Sequence, residues 1–145
     1  MADVKIVDID NEQWNIKDQE ARNRIAEIEQ LLKTETVGEI LINLNSGNSA
    51  NEARITSIQK YGKIYIGLIV IENLNANNIG TLSRVNVGKV NINVLNDTYS
   101  LGFDYHSGKT VRIRVDPEKN FYIEESNGIS NGNNGIRAQI TWIEP

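Results

Sequence analysis

From Val37 onward, apolar and polar residues alternate in short runs separated by turn-forming residues. Successive strand side chains point to opposite faces, so a period of two commits this part of the chain to half-buried β-strands. The runs are "VGEILINL" (37–44), "ARITSIQ" (53–59), "KIYIGLIVIENL" (63–74), "KVNINVL" (89–95), "YSLGFDY" (99–105), "TVRIRV" (110–115), "NFYIEES" (120–126) and "GIRAQITWI" (135–143). "KYGK", "NDT", "HSGK" and "DPEKN" supply turn chemistry between them. Eight short strands at regular spacing predict an antiparallel, jelly-roll-like β-sandwich. "IYIGLIVI" is apolar on both faces, which suits a central strand or one buried between protomers.

The period changes nearer the N-terminus. Val4–Ile9 alternates, and so do Trp14 and Ile16 beyond a polar "DNEQ", as in a hairpin. From Lys17 the apolar residues Ala21, Ile25, Ile28 and Leu32 recur at steps of four, three and four, the a/d seam of a heptad. Continued backwards, the seam places Trp14 at d. A single helix of this length is marginal alone in water, so its stripe must be buried. Either it caps the β domain or it meets copies of itself. Ile at both a and d biases parallel coiled coils beyond two strands. The spacing thus sets out a docking hairpin (1–16), a short coiled-coil neck (17–36) and a β head (37–145).

Composition removes several functions. The net charge of −4 gives no electrostatic reason to expect nucleic acid or an anionic membrane. Without cysteine there are no disulfides, thiolate metal sites or cysteine nucleophiles. "MADVKIVDID" does not read as a signal peptide, and no run approaches the roughly 20 apolar residues of a membrane span, so a protein made and kept in a cytoplasm is expected. Asparagine gathers in "NSGNSANE", "NLNANNIG" and "SNGISNGNNG", where Asn and Gly tolerate left-handed turns.

"VDIDNEQWNIKDQEARNRIAEIEQ" (7–30) resembles the start of many virion proteins from phages of Gram-positive bacteria. Their pattern is I-x-G-x-x-W-x-I-K-D-x-x-A-R-x-x-I. Ile9, Trp14, Ile16, Lys17, Asp18, Ala21, Arg22 and Ile25 match it, while Asn11 stands in the glycine's place. "ARITSIQKYGKIYIGLIVIENL" (53–74) and "IRAQITWIEP" (136–145) are similar, more loosely, to strands of the receptor-binding heads of those proteins. The resemblance implies a homotrimer located in the virion. Its N-terminal segment would dock to other virion proteins, and its head would bind a host cell-surface polysaccharide. The trimer interface would include Trp14, Ala21, Ile25, Ile28 and Leu32.

Catalytic patterns are weak. "GKT" (108–110) lacks the spacing and following helix of a phosphate-binding loop. The sole histidine, His106, sits in a turn with no assignable partner, and no G-x-S-x-G occurs. One histidine makes a zinc site improbable. Glu124 and Glu125 are neighbours that a strand would point to opposite faces, and Asp97, Asp104 and Asp116 flank turns. A non-enzymatic protein with no cofactor and no metal is expected. A structural decoration of the virion is the alternative, and a glycan-active enzyme or free lectin comes third. For a glycan site the candidates are Asp104, Tyr105 and His106 on one turn, with Arg137. Tyr61, Trp142 and the 131–134 loop are alternatives. "NDT" (96–98) matches a glycosylation acceptor that would matter only in a secreted eukaryotic protein.

Overall fold

The computed structural model describes residues 7–9, 12–14, 16–31 and 33–145, with side chains placed at 19–30 and 33–145. The chain divides between Lys33 and Thr34 into two units. In the first, β1 (Val7–Ile9) pairs antiparallel with β2 (Glu12–Trp14), and α1 (Ile16–Leu31) follows.

No coiled-coil neck is evident among the described residues. Every residue of α1 from Gln19 to Gln30 is exposed, with Ile25 and Ile28 at 54% and 53%. The physical reason lies in the stripe itself. Between residues 19 and 30 it holds only Ala21, Ile25 and Ile28, and a coiled coil needs its seam sustained over about three to four heptads. The side chain of Trp14 and all of Leu32, the other members of the expected seam, lie outside the described residues.

The second unit corrects the sandwich expectation. It holds β3 (Thr34–Val37), β4 (Ile40–Leu44), β5 (Glu52–Tyr61), β6 (Ile64–Glu72), β7 (Val85–Val90), β8 (Thr98–Asp104), β9 (Lys109–Val115), β10 (Asn120–Glu125) and β11 (Gly135–Ile143). These pair antiparallel in the ring β4-β5-β6-β11-β8-β9-β10-β7 and back to β4. The result is a closed eight-stranded barrel, with β3 continuing along β5 after a break at Gly38 and Glu39. Sandwich and barrel share the same alternation and turn spacing. What separates them is that β5 pairs on both of its edges, a long-range fact that periodicity does not carry. A bulge around Ser57, which sits at φ 52°, bends β5. Gly67 on β6 leaves room for side chains of its neighbouring strands: a Cβ there would lie 2.6 Å from Ile55 Cγ2 of β5.

Eight strands enclose a space that side chains alone can fill. Ile55, Ile69, Ile71, Val87, Val111, Ile113, Phe121, Ile123, Ile136 and Ile140 fill it, essentially without solvent contact. Three connections must cross the barrel because the strands they join are not neighbours. Residues 73–84 and 126–134 cross one end and 91–97 the other. Each carries apolar residues that plug the opening: Leu74, Ala76, Ile79 and Ile129 at the first end, Ile92 and Val94 at the second. The chain comes in from residue 33 at the second end, where Thr34 pairs with Tyr61.

Candidate functional site

The asparagine-rich segments converge at the end opposite the point where the chain comes in. Asn134 is fully buried there. Its side-chain oxygen accepts the Leu74 N–H at 3.0 Å, and its amide donates to the Leu74 and Ser130 carbonyls at 2.9 Å each. Asn131 accepts the Ala76 N–H at 3.0 Å, and the Ser126 hydroxyl accepts the Gly80 N–H at 3.0 Å. Asparagine, with a donor and an acceptor on one short side chain, stitches two crossing loops whose backbone groups have no strand partner.

The turn candidates flank this end. Asp104, at the end of β8, is fully buried. It accepts N–H groups from Gly135 at 2.6 Å, Ser107 at 3.1 Å and His106 at 3.3 Å, together with the Ser107 hydroxyl. Burial by itself pushes this carboxyl up. The N–H of Gly135, the Ser107 hydroxyl and the two turn N–H groups outweigh it and hold Asp104 below its ordinary range. Asp104 therefore ties the β8–β9 turn to the start of β11 and is shielded from any ligand.

Tyr105, Arg137 and His106 do come together, and Glu72 joins them. Glu72 pairs across β6 and β11 with Gly135. The Tyr105 ring lies over Gly135, where any Cβ would collide with it, and its hydroxyl donates to the Glu72 carboxylate at 2.8 Å. Tyr105 is thus a strap from the end of β8 over β11 to β6, an aromatic filling the gap above a strand glycine. Arg137 forms an ion pair with Glu72 and lies 5.0 Å from the Tyr105 ring centre. His106 meets the same ring edge-on at 4.4 Å. Burial pushes Glu72 up, but Arg137 and Tyr105 prevail and hold its carboxyl below the usual range. Reading the sequence missed Glu72, although it is the one charged residue in "IYIGLIVIE", at the point where β6 ends.

The alternatives separate. Trp142 faces the barrel interior, stacked on Tyr65 with ring centres 5.0 Å apart. Asn131 and Asn134 hold the loops, as above. Asp116 is the β9–β10 turn's counterpart of Asp104, accepting the Asn120 N–H at 2.8 Å and its side-chain amide at 2.9 Å.

A groove not foreseen from sequence lies at the opposite end. It has a volume of ≈ 320 Å³ and is lined by Leu95, Asn96 and Asp97 from the crossing connection, by Thr98 and Tyr99 from the start of β8, and by Thr141 and Ile143 from β11. A second hollow of ≈ 550 Å³ shares Leu95 with it and includes Asn93, Pro117 and Glu144. Tyr99 was legible as a strand residue. Its neighbours from β11 follow from a register that the sequence does not display.

On the outer wall, β8 turns Tyr99, Leu101 and Phe103 outward, at 49%, 71% and 52% exposure. Ile64 and Leu68 of β6 and Ile143 of β11 are also exposed. Compared with models of known protein families the chain matches none, and compared with curated proteins it matches none either.

Proposed function

We propose that this chain is a non-enzymatic phage virion appendage: a homotrimer whose N-terminal segment docks to other virion proteins and whose barrel attaches to a polysaccharide of the host cell surface. One observation carries this reading. The segment of the more specific resemblance, residues 7–30, falls within the unit before Thr34, while the barrel, which carries only the looser likeness, is a separate unit with its own filled core. That division suits an anchor and a head with different tasks.

A second reading is a purely structural virion decoration. The exposed apolar row Tyr99, Leu101 and Phe103 favours it, because contiguous apolar surface marks protein contact. Cell adhesion separates the two. Purified full chain and the fragment 34–145 are each mixed with whole Gram-positive cells and sedimented. Co-sedimentation of both, abolished when wall polysaccharide is stripped, is the expected result. If the full chain sediments with no host in a broad panel, attachment is wrong and decoration stands.

A further inference from the structure

We infer that the groove floored by Tyr99 is a subsite for one or two rings of a neutral saccharide, with the neighbouring hollow beyond Leu95 extending it to a longer chain. The inference rests on the proposed polysaccharide attachment and gives it a place.

The argument begins with the ring. A pyranose presents an apolar face of C–H groups and a rim of hydroxyls. It needs a flat apolar platform with donors and acceptors beside it. Tyr99 is half exposed and lines the groove, with Leu95 and Ile143 extending the apolar floor. Its ring is held in place beforehand: the Arg112 guanidinium lies 4.8 Å from the ring centre and is not among the groove's lining residues. A platform fixed by a cation–π contact loses little freedom on binding. Around it stand an amide, a carboxylate and two hydroxyls, from Asn96, Asp97, Thr98 and Thr141. The volume falls at the low end of the range of about 300–1,000 Å³ typical of ligand sites, which suits one or two rings.

Charge selects a neutral ligand over an anionic one. Arg114 is paired with Asp97 at 2.8 Å and Glu124 at 2.9 Å. Arg112 is paired with Glu124 at 3.6 Å and Glu125 at 3.3 Å. Both cations beside the groove are thus answered by carboxylates, and a phosphate would meet Asp97 as well. The Tyr105 cluster offers no comparable platform, since its ring lies over Gly135 and its hydroxyl is engaged by Glu72.

The test uses the full chain labelled for NMR. The probes are glucose, galactose, N-acetylglucosamine and rhamnose, each at millimolar concentration, with inorganic phosphate as the anionic comparison. At least one sugar is expected to shift the amides of residues 95–99 and 141–143, and phosphate is not. Tyr99→Ala is expected to weaken that binding about tenfold or more, as loss of a central aromatic contact does, while Tyr99→Phe retains it. Phosphate shifting the groove more than any sugar, or sugar shifts confined to residues 104–108 and 135–137, would overturn the subsite. So would no shift from any sugar. Whole-cell adhesion keeps the two claims apart. Adhesion undiminished in Tyr99→Ala refutes the groove and leaves attachment standing. Sugar binding in the groove by a chain that adheres to no cell supports the groove and refutes attachment.

Discussion

At the loop end of the barrel, Asn134 and Asp104 answer backbone polar groups and Glu72 answers Arg137 and Tyr105. At the end where the chain comes in, Asn96, Asp97, Thr98 and Thr141 face a groove instead. The residue types are much the same at both ends. The difference follows from topology. Two long connections cross the loop end and bring unpaired backbone N–H and C=O groups that side chains must satisfy, because unpaired buried polar groups are costly. One connection crosses the other end and asks less of its side chains: Asp97 pairs with Arg114 and the Thr98 hydroxyl with the Asn96 carbonyl, while Asn96 and Thr141 line the groove. An Asn- or Tyr-rich turn is therefore not evidence of a binding site until its backbone obligations have been counted.

The strongest way to break this contrast is Asn134→Ala. It leaves the Leu74 N–H and C=O without their side-chain partner in a dry interior, and about 3 kcal/mol of unfolding free energy is expected to vanish. Urea denaturation of the full chain measures this; a loss under about 1 kcal/mol would mean the crossing loops hold by other means. Next comes Gly135→Ala, whose methyl group must displace the Tyr105 ring and with it the hydroxyl's bond to Glu72. An overpacking cost of about 2 kcal/mol is expected, and Tyr105→Ala combined with it should recover part of the loss.

Acid sharpens the comparison further. Asp104 and Glu72 are both held below their ordinary range in the folded chain. The stability they lend is fully present above the unfolded carboxylate range near pH 4 and is lost as pH falls through their lower folded values. Melting temperature should accordingly decline below about pH 4, and less steeply in Asp104→Asn. An unchanged acid slope in that variant would show that Asp104 is not the linked group. The smallest effect belongs to the groove: Tyr99→Ala should change stability by under about 0.5 kcal/mol, because the residue is half exposed. A larger change would place Tyr99 among the structural residues.

Most strand positions were legible because alternation reports which side chains are buried; β3, within the expected neck, and the first half of β7 were not. Closure was not, since it depends on a bulge at Ser57 and the bare Cα of Gly67, single residues that re-aim a strand without altering the pattern. "KVNINVL" is the instructive case. Ile92 and Val94 are buried, as its alternation indicates, yet the ladder ends at Val90 because the next residues cross the barrel's mouth. Alternation reported burial faithfully and pairing not at all. Of the candidate site, Tyr105 and His106 were neighbours by sequence. Arg137 reaches them because it stands opposite Phe103 across β8 and β11, and Glu72 entered through the far side of β11. The a/d spacing of α1 misled for a related reason: a repeat can be correct in period and still too short to be energetically decisive.

Ring closure has a consequence for crowding. An open sheet offers unpaired backbone at its rims, and a foreign strand can add itself there and seed aggregation. In this barrel every strand of the ring is paired on both sides over at least part of its length, and β3, which pairs on one side, is four residues long and carries Glu35. Barrels held close together would thus have little of their own backbone through which to polymerise, and contacts between barrels would fall mostly to side chains.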